Sequence, residues 1–168
     1  MDIVKAASDW ARFEMHSGAV FAAFGLAFLL AGLGFRQWGG TDFSRALLVP
    51  MLVAGVLLLI LGVGLGLLGQ SRLAAVPATY ASDATAFLTA ELARTDKVLN
   101  DYRILAFRLF PAIIALCALA IPFLDGPYWR ASLITAIALF TVLILIDSNA
   151  NARLQDYRQQ LSMAEAST

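Results

Sequence analysis

ALLVPMLVAGVLLLILGVGLGLLGQS, residues 46–71, runs for 26 residues without a charge, and SGAVFAAFGLAFLLAGLGF, residues 17–35, does so for 19. Each reaches or passes the ~18 apolar residues that mark a helix able to cross a bilayer. Working outward, residues 109–124 and 131–146 are uncharged for 16 residues each. At about 1.5 Å per residue that is shorter than a ~30 Å hydrocarbon core, so both need interfacial residues at their ends. Arg108 snorkelling toward the headgroups extends the third run back to Ile104, and Tyr128, Trp129 and Ser148 extend the fourth. The reading is an all-α, four-span transmembrane helical bundle of two antiparallel hairpins, with spans 17–35 and 46–69 in the first (17–71) and 104–124 and 129–148 in the second (104–149). Around these lie an interfacial helix at 1–16, a cytoplasmic helical segment at 72–103, and a cytoplasmic C-terminal helix and tail at 150–168.

Composition agrees. The 168 residues are 60% hydrophobic and 14% charged, with a mean hydropathy of +0.76, where soluble domains carry about 25% charge. Twelve basic against twelve acidic residues exclude a nucleic-acid binder acting through bulk basicity, and the apolar content excludes a disordered chain. One cysteine, Cys117, allows no internal disulfide and no cysteine metal cluster. Set in an apolar run, it reads as a small packing residue.

Lys and Arg set the orientation. The N-terminal flank, the middle segment and the C-terminal flank hold nine, and the two short loops hold three, Arg36, Arg45 and Arg130. Both termini are therefore expected in the cytoplasm of a bacterial inner membrane. The first run follows Asp2, Asp9 and Glu14 and lacks a small-x-small cleavage site, so it is expected to remain as a helix.

Glycines recur every seven residues in the first run (Gly18, Gly25, Gly32) and in the second (Gly55, Gly62, Gly69). An antiparallel hairpin then sets Gly18 opposite Gly69, Gly25 opposite Gly62 and Gly32 opposite Gly55, and small residues permit the close approach. Asp125-Gly126-Pro127 has the composition of a turn. A hairpin centred there sets Ala112, Ala115 and Ala118 against Thr141, Ala138 and Thr135, with Pro111 and Pro122 bending or ending the third helix. Carried past the membrane, the same register sets Leu99 against Leu154 and brings Glu91 near Arg158.

Two arms beyond the apolar runs carry helical stripes: Tyr80, Phe87, Leu88, Leu92, Leu99 and Tyr102 in one, Leu154, Tyr157 and Leu161 in the other. LNDYR at 99–103 and LQDYR at 154–158 are near copies. These apolar residues form the expected surface for a protein partner or a second copy.

The span centres lack ionisable residues, which argues against a proton-coupled transporter or a voltage sensor. Polar chemistry collects at the inner interface in Glu14, His16, Arg72, Arg108 and Asp147. The register pairs Glu14 with Arg72 and Asp147 with Arg108, either as ties between the hairpin bases or as a site for lipid headgroups. Glu14, His16 and Asp147 are a sparse set for a metal. No Walker loop, dinucleotide fingerprint or nucleophile elbow is present, so no cofactor is expected. Gly62-Val-Gly-Leu-Gly66 lies inside an apolar run and reads as packing.

The expected function is that of a small membrane accessory or scaffold protein, in contact with lipids and a protein partner or second copy, with no nucleic acid. The alternatives are a homo-oligomeric transporter or channel with Ser132, Thr135 and Thr141 along its path, and a lipid-headgroup enzyme built on the interfacial ring.

Overall fold

The computed structural model describes residues 3–166. These form α1 (Ile3–Trp38), α2 (Asp42–Ala46), α3 (Leu48–Ser82), α4 (Ala84–Ile104), a π-helical turn (Leu105–Leu109), α5 (Phe110–Ala120) and α6 (Pro127–Glu165), with no strand among the described residues. Four stretches are long and apolar enough to cross a membrane: Ile3–Trp38, Asp42–Ser82, Ala84–Ala120 and Pro127–Glu165.

The helices outrun the apolar stretches that announce them. Residues 1–16 are not a separate interfacial helix: from Ile3 they belong to an unbroken α1. Likewise 72–103 is not one segment. Its first part completes α3, which passes through Pro77 to Ser82, and the remainder is α4. Asp83 divides the two, extended at φ −158° and ψ 99°, with Oδ1 accepting the Ala86 N–H at 2.9 Å as the cap of α4. The fourth helix likewise continues well beyond 148, to Glu165.

α1 and α3 pack antiparallel at backbone contact. A Cβ added to Gly18 would lie 2.6 Å from the Gly62 carbonyl oxygen and 2.9 Å from the Gly66 nitrogen, and one added to Gly25 would lie 2.8 Å from the Gly55 oxygen. Gly32 meets Met51 and Leu48, and Gly69 meets Ala11 and Met15. The two glycine rows therefore face each other, but slid by one repeat: Gly18 is opposite Gly62 rather than Gly69, and Gly25 is opposite Gly55 rather than Gly62. The reason lies in the connection. α1 runs past the level where α3 begins, and α2 turns across that end, capped by Thr41 and Ser44, with Ala46 and Leu47 buried against Ala131 of α6. The turn is thus asymmetric, and the midpoint of the loop does not mark the axis of the hairpin.

Pro111 explains the π turn. Its ring collides with the carbonyl four residues back and its nitrogen donates nothing. The widened turn absorbs this, with the Phe110 N–H reaching the Leu105 carbonyl five residues back. The extra residue rotates α5 relative to α4, so the register of the arms does not carry into the spans. Phe110 packs against Phe140 with ring centroids 5.2 Å apart and planes tilted by 46°, while Ala112, Ala115 and Ala118 are exposed rather than set against α6. Ala138 instead packs with Phe21, Phe28 and Leu58 of the α1–α3 pair. α5 ends at Ala120 in a turn containing Pro122, short of 124, and Gly126, at φ +111°, makes the reversal into α6.

Substitution separates packing glycines from idle ones. A Cβ at Gly62 meets backbone at 2.5 and 2.6 Å, whereas one at Gly64 meets nothing within 4 Å. Gly62→Ala is expected to destabilise the protein by ~1–3 kcal/mol. Gly64→Ala, relieved of the glycine penalty of about 1 kcal/mol, is expected to be neutral or stabilising. Unfolding midpoints in mixed micelles check both signs.

Candidate functional site

Beyond the apolar runs, the ends of α1, α3, α4 and α6 close on a core of their own. Phe87, Leu88, Leu154, Tyr157 and Leu161 are buried in it with Ile3, Ala7, Trp10 and Val76, and Leu92, Leu99 and Tyr102 pack on its edge. The side chains expected as a partner surface are thus packed against one another within the chain. The N-terminal part of α1, expected on the lipid surface, is the wall that covers them. The repeated LxDYR strings contribute equivalent residues, Leu99 and Tyr102 beside Leu154 and Tyr157.

A chain of ion pairs ties this bundle to the apolar helices. Arg72 of α3 binds Glu14 of α1. Arg94 of α4 stands 3.6 Å from the same Glu14 oxygen and grips Glu91 with Nε at 3.1 Å from Oε1 and Nη2 on Oε2. The Tyr157 hydroxyl of α6 donates to Glu91 Oε2 at 3.0 Å. Burial pushes the Tyr157 phenol above its ordinary pKa and the Glu91 carboxylate pushes it further, so the donor stays protonated. Burial opposes the charge on Arg94, but the hydrogen bond and charge of Glu91 outweigh it and the guanidinium stays charged. Trp10 lies flat on Tyr157, centroids 6.0 Å apart and rings 4° from parallel, and Arg153 covers Phe13 at 4.6 Å.

The remaining interfacial residues do not join this network. Asp147 lies near Tyr102, whose phenol is raised by burial and then by the Asp147 and Glu14 charges, and lines a small cavity with Trp10, Glu14 and Tyr102. Arg108 sits in the π turn, exposed. The expected Asp147–Arg108 pair is absent, because the widened turn carries Arg108 off the face that meets α6. His16 is exposed at the rim of a groove between α1 and α6. Among the described residues no three His, Cys, Asp or Glu side chains converge as a metal site would require. Glu91 does not pair with Arg158, which binds Asp96 instead, and Arg158 holds that exposed carboxyl below its usual range.

The hydroxyls considered for a solute path are turned to their own helix or buried. Ser132 donates to the Tyr128 carbonyl at 2.8 Å and Thr141 to the Ile137 carbonyl at 2.7 Å. Thr135 is buried, and its hydroxyl is without a partner.

Between α1, α3 and α4 lies a cleft of about 390 Å³, with Ala75, Val76, Ala86, Phe87 and Ala90 among its walls and Arg72, Glu91 and Arg94 among its polar lining. Trp10 also lines it, buried to 6% exposure, and its indole N–H has no acceptor. Arg94 Nη1 and Glu14 Oε2 are likewise unbonded. Trp10 falls in the stretch 1–16 expected as an interfacial helix, and Arg94 in the segment 72–103. The three-residue spacing of Glu91 and Arg94 on one helix face was the available signal.

Glu14→Ala is expected to cost about 2–3 kcal/mol, because it leaves Arg72 and Arg94 short of a partner in a site where Glu14 is only 13% exposed. Leu154→Ala, at a fully buried position, is expected to cost about 2–5 kcal/mol. Asp96→Ala, on the surface, is expected to leave the midpoint unchanged. Denaturation of the three variants side by side checks that order. Comparison with protein-family models, with curated proteins and with solved structures finds no match to this chain.

Proposed function

We propose that this chain is a four-span accessory or scaffold protein of the bacterial inner membrane, with both termini and the ion-paired bundle in the cytoplasm, that associates with a second membrane protein through α5. The observation that carries this reading is the state of α5: none of its own residues is buried. It offers outward a row of small side chains, Ala112, Ala115 and Ala118, at three-residue spacing. The facing glycines of α1 and α3 are taken up by each other, backbone on backbone, whereas the row on α5 is exposed. Small residues are where membrane helices approach closely. Both α1 and α6 continue unbroken from the apolar region into the bundle, which suits a part that holds a partner at a fixed height over the bilayer.

Orientation is tested with single cysteines in a Cys117→Ala background. In inside-out vesicles a membrane-impermeant maleimide is expected to label position 82 or 162 and to spare position 40 or 125, and the opposite pattern overturns the topology. Association is tested by native mass spectrometry of the protein extracted gently from its own membrane. The expected result is a stoichiometric second membrane protein that is lost from an Ala115→Trp variant of unchanged helicity. A homo-oligomer without a partner, giving solute flux in proteoliposomes, would establish the transporter reading in its place.

A further inference from the structure

We propose that the cleft between α1, α3 and α4 binds an uncharged amphiphile: an elongated apolar molecule carrying one ester or carbonyl oxygen. The inference rests on the geometry of the cleft and is independent of the accessory role.

The cleft volume, about 390 Å³, falls within the ~300–1,000 Å³ of small-molecule sites, which join apolar walls to a few placed polar groups. The walls are short by composition. Ala75 on α3 and Ala86 and Ala90 on α4 are exposed and line the gap, while Val76 and Phe87, which also border it, are buried in the core. Apart from the Asp83 turn, where Tyr80 stands edge-on to Phe87, alanines leave space where leucines would have closed the helices on each other.

Charge selects the class of ligand. Arg72 is neutralised by Glu14 and Arg94 by Glu91, so an entering anion would have to displace a carboxylate from a guanidinium, and of the carboxylates on the wall Glu91 is held by Arg94 and Asp83 caps α4 through the Ala86 N–H. The hydroxyls of Thr79 and Ser82, also on the lining, give their protons to the Ala75 and Thr79 carbonyls. Arg94 Nη1 makes no hydrogen bond, being 3.6 Å from Glu14, and the buried Trp10 N–H makes none. Two unpartnered donors on residues that line one cleft call for a carbonyl oxygen, because leaving buried donors unmet is costly.

Trp10 supplies the readout. In a Trp38→Phe, Trp129→Phe background it is the sole tryptophan, and bromine quenches indole emission on contact. The protein in detergent is titrated with 1-(9,10-dibromostearoyl)glycerol and, in parallel at pH 9, with 9,10-dibromostearate. The expected result is saturable quenching by the ester and at least tenfold weaker binding of the carboxylate. Arg94→Met is expected to weaken ester binding about tenfold or more, the loss of one hydrogen bond from a charged donor. Ala90→Phe, at an exposed position, fills the cleft and is expected to abolish saturable quenching, and Ala86→Phe serves the same purpose should that variant lose its helicity. Quenching that rises without saturation, or that persists unchanged in the filled variants, overturns the site. Equal or tighter binding of the carboxylate overturns its assignment to an uncharged ligand.

Discussion

The contact on which the rest of the molecule depends is the approach of two backbones without side chains between them. At Gly18 against Gly62 and Gly25 against Gly55 there is no room for even a Cβ. The closeness is carried along the helices to Gly69, which sits on Ala11 and Met15. It therefore continues to the end of the apolar region, where Glu14 of α1 and Arg72 of α3 meet. With leucines at these positions the helices would stand further apart, and Glu14 would be drawn from the guanidiniums it serves.

A row of glycines every seven residues cannot fix its own register, because sliding one helix by a repeat restores small against small. The selection comes from either end. At one, Ala46 and Leu47 dock on Ala131 of α6, which settles how far α3 begins behind the end of α1. At the other, Ile3, Ala7 and Trp10 reach Val76, Phe87 and Leu88, which would be lost on a slide. The ion pairs add specificity more than energy, since burying paired charges returns little net stability even though breaking a pair is expensive.

This is also why so much was legible in the sequence and where legibility stopped. Charge-free runs announce four helices, and the glycine period announces which faces meet. Helix length was hidden, because past the charge-free stretch the same periodic apolar residues are satisfied by protein: Ile3, Ala7 and Trp10 carry a stripe equally compatible with a membrane surface or with Tyr157 and Leu161. Pro111 was visible as a disturbance, but not that the chain would answer with a wide turn instead of a break, and that choice moved Arg108 and the alanine row of α5 to new faces. The cleft left the faintest trace of all. It is made by what alanines fail to fill, and its polar end by residues drawn from three helices.

Ala11 joins the two halves of the molecule. Its carbonyl lies 2.9 Å from where a Cβ of Gly69 would be, and it also lines the cleft. On the α1–α3 side, therefore, the width of the cleft is set by a backbone contact with no slack. α4 is held differently, joined to α3 at the extended Asp83, tied through Arg94 to Glu14 of α1 and through Glu91 to Tyr157 of α6, and packed by Phe87 and Leu88 in the core. α4 continues through the π turn into α5, so one helical arm forms a wall of the cleft at one end and carries the exposed alanines at the other.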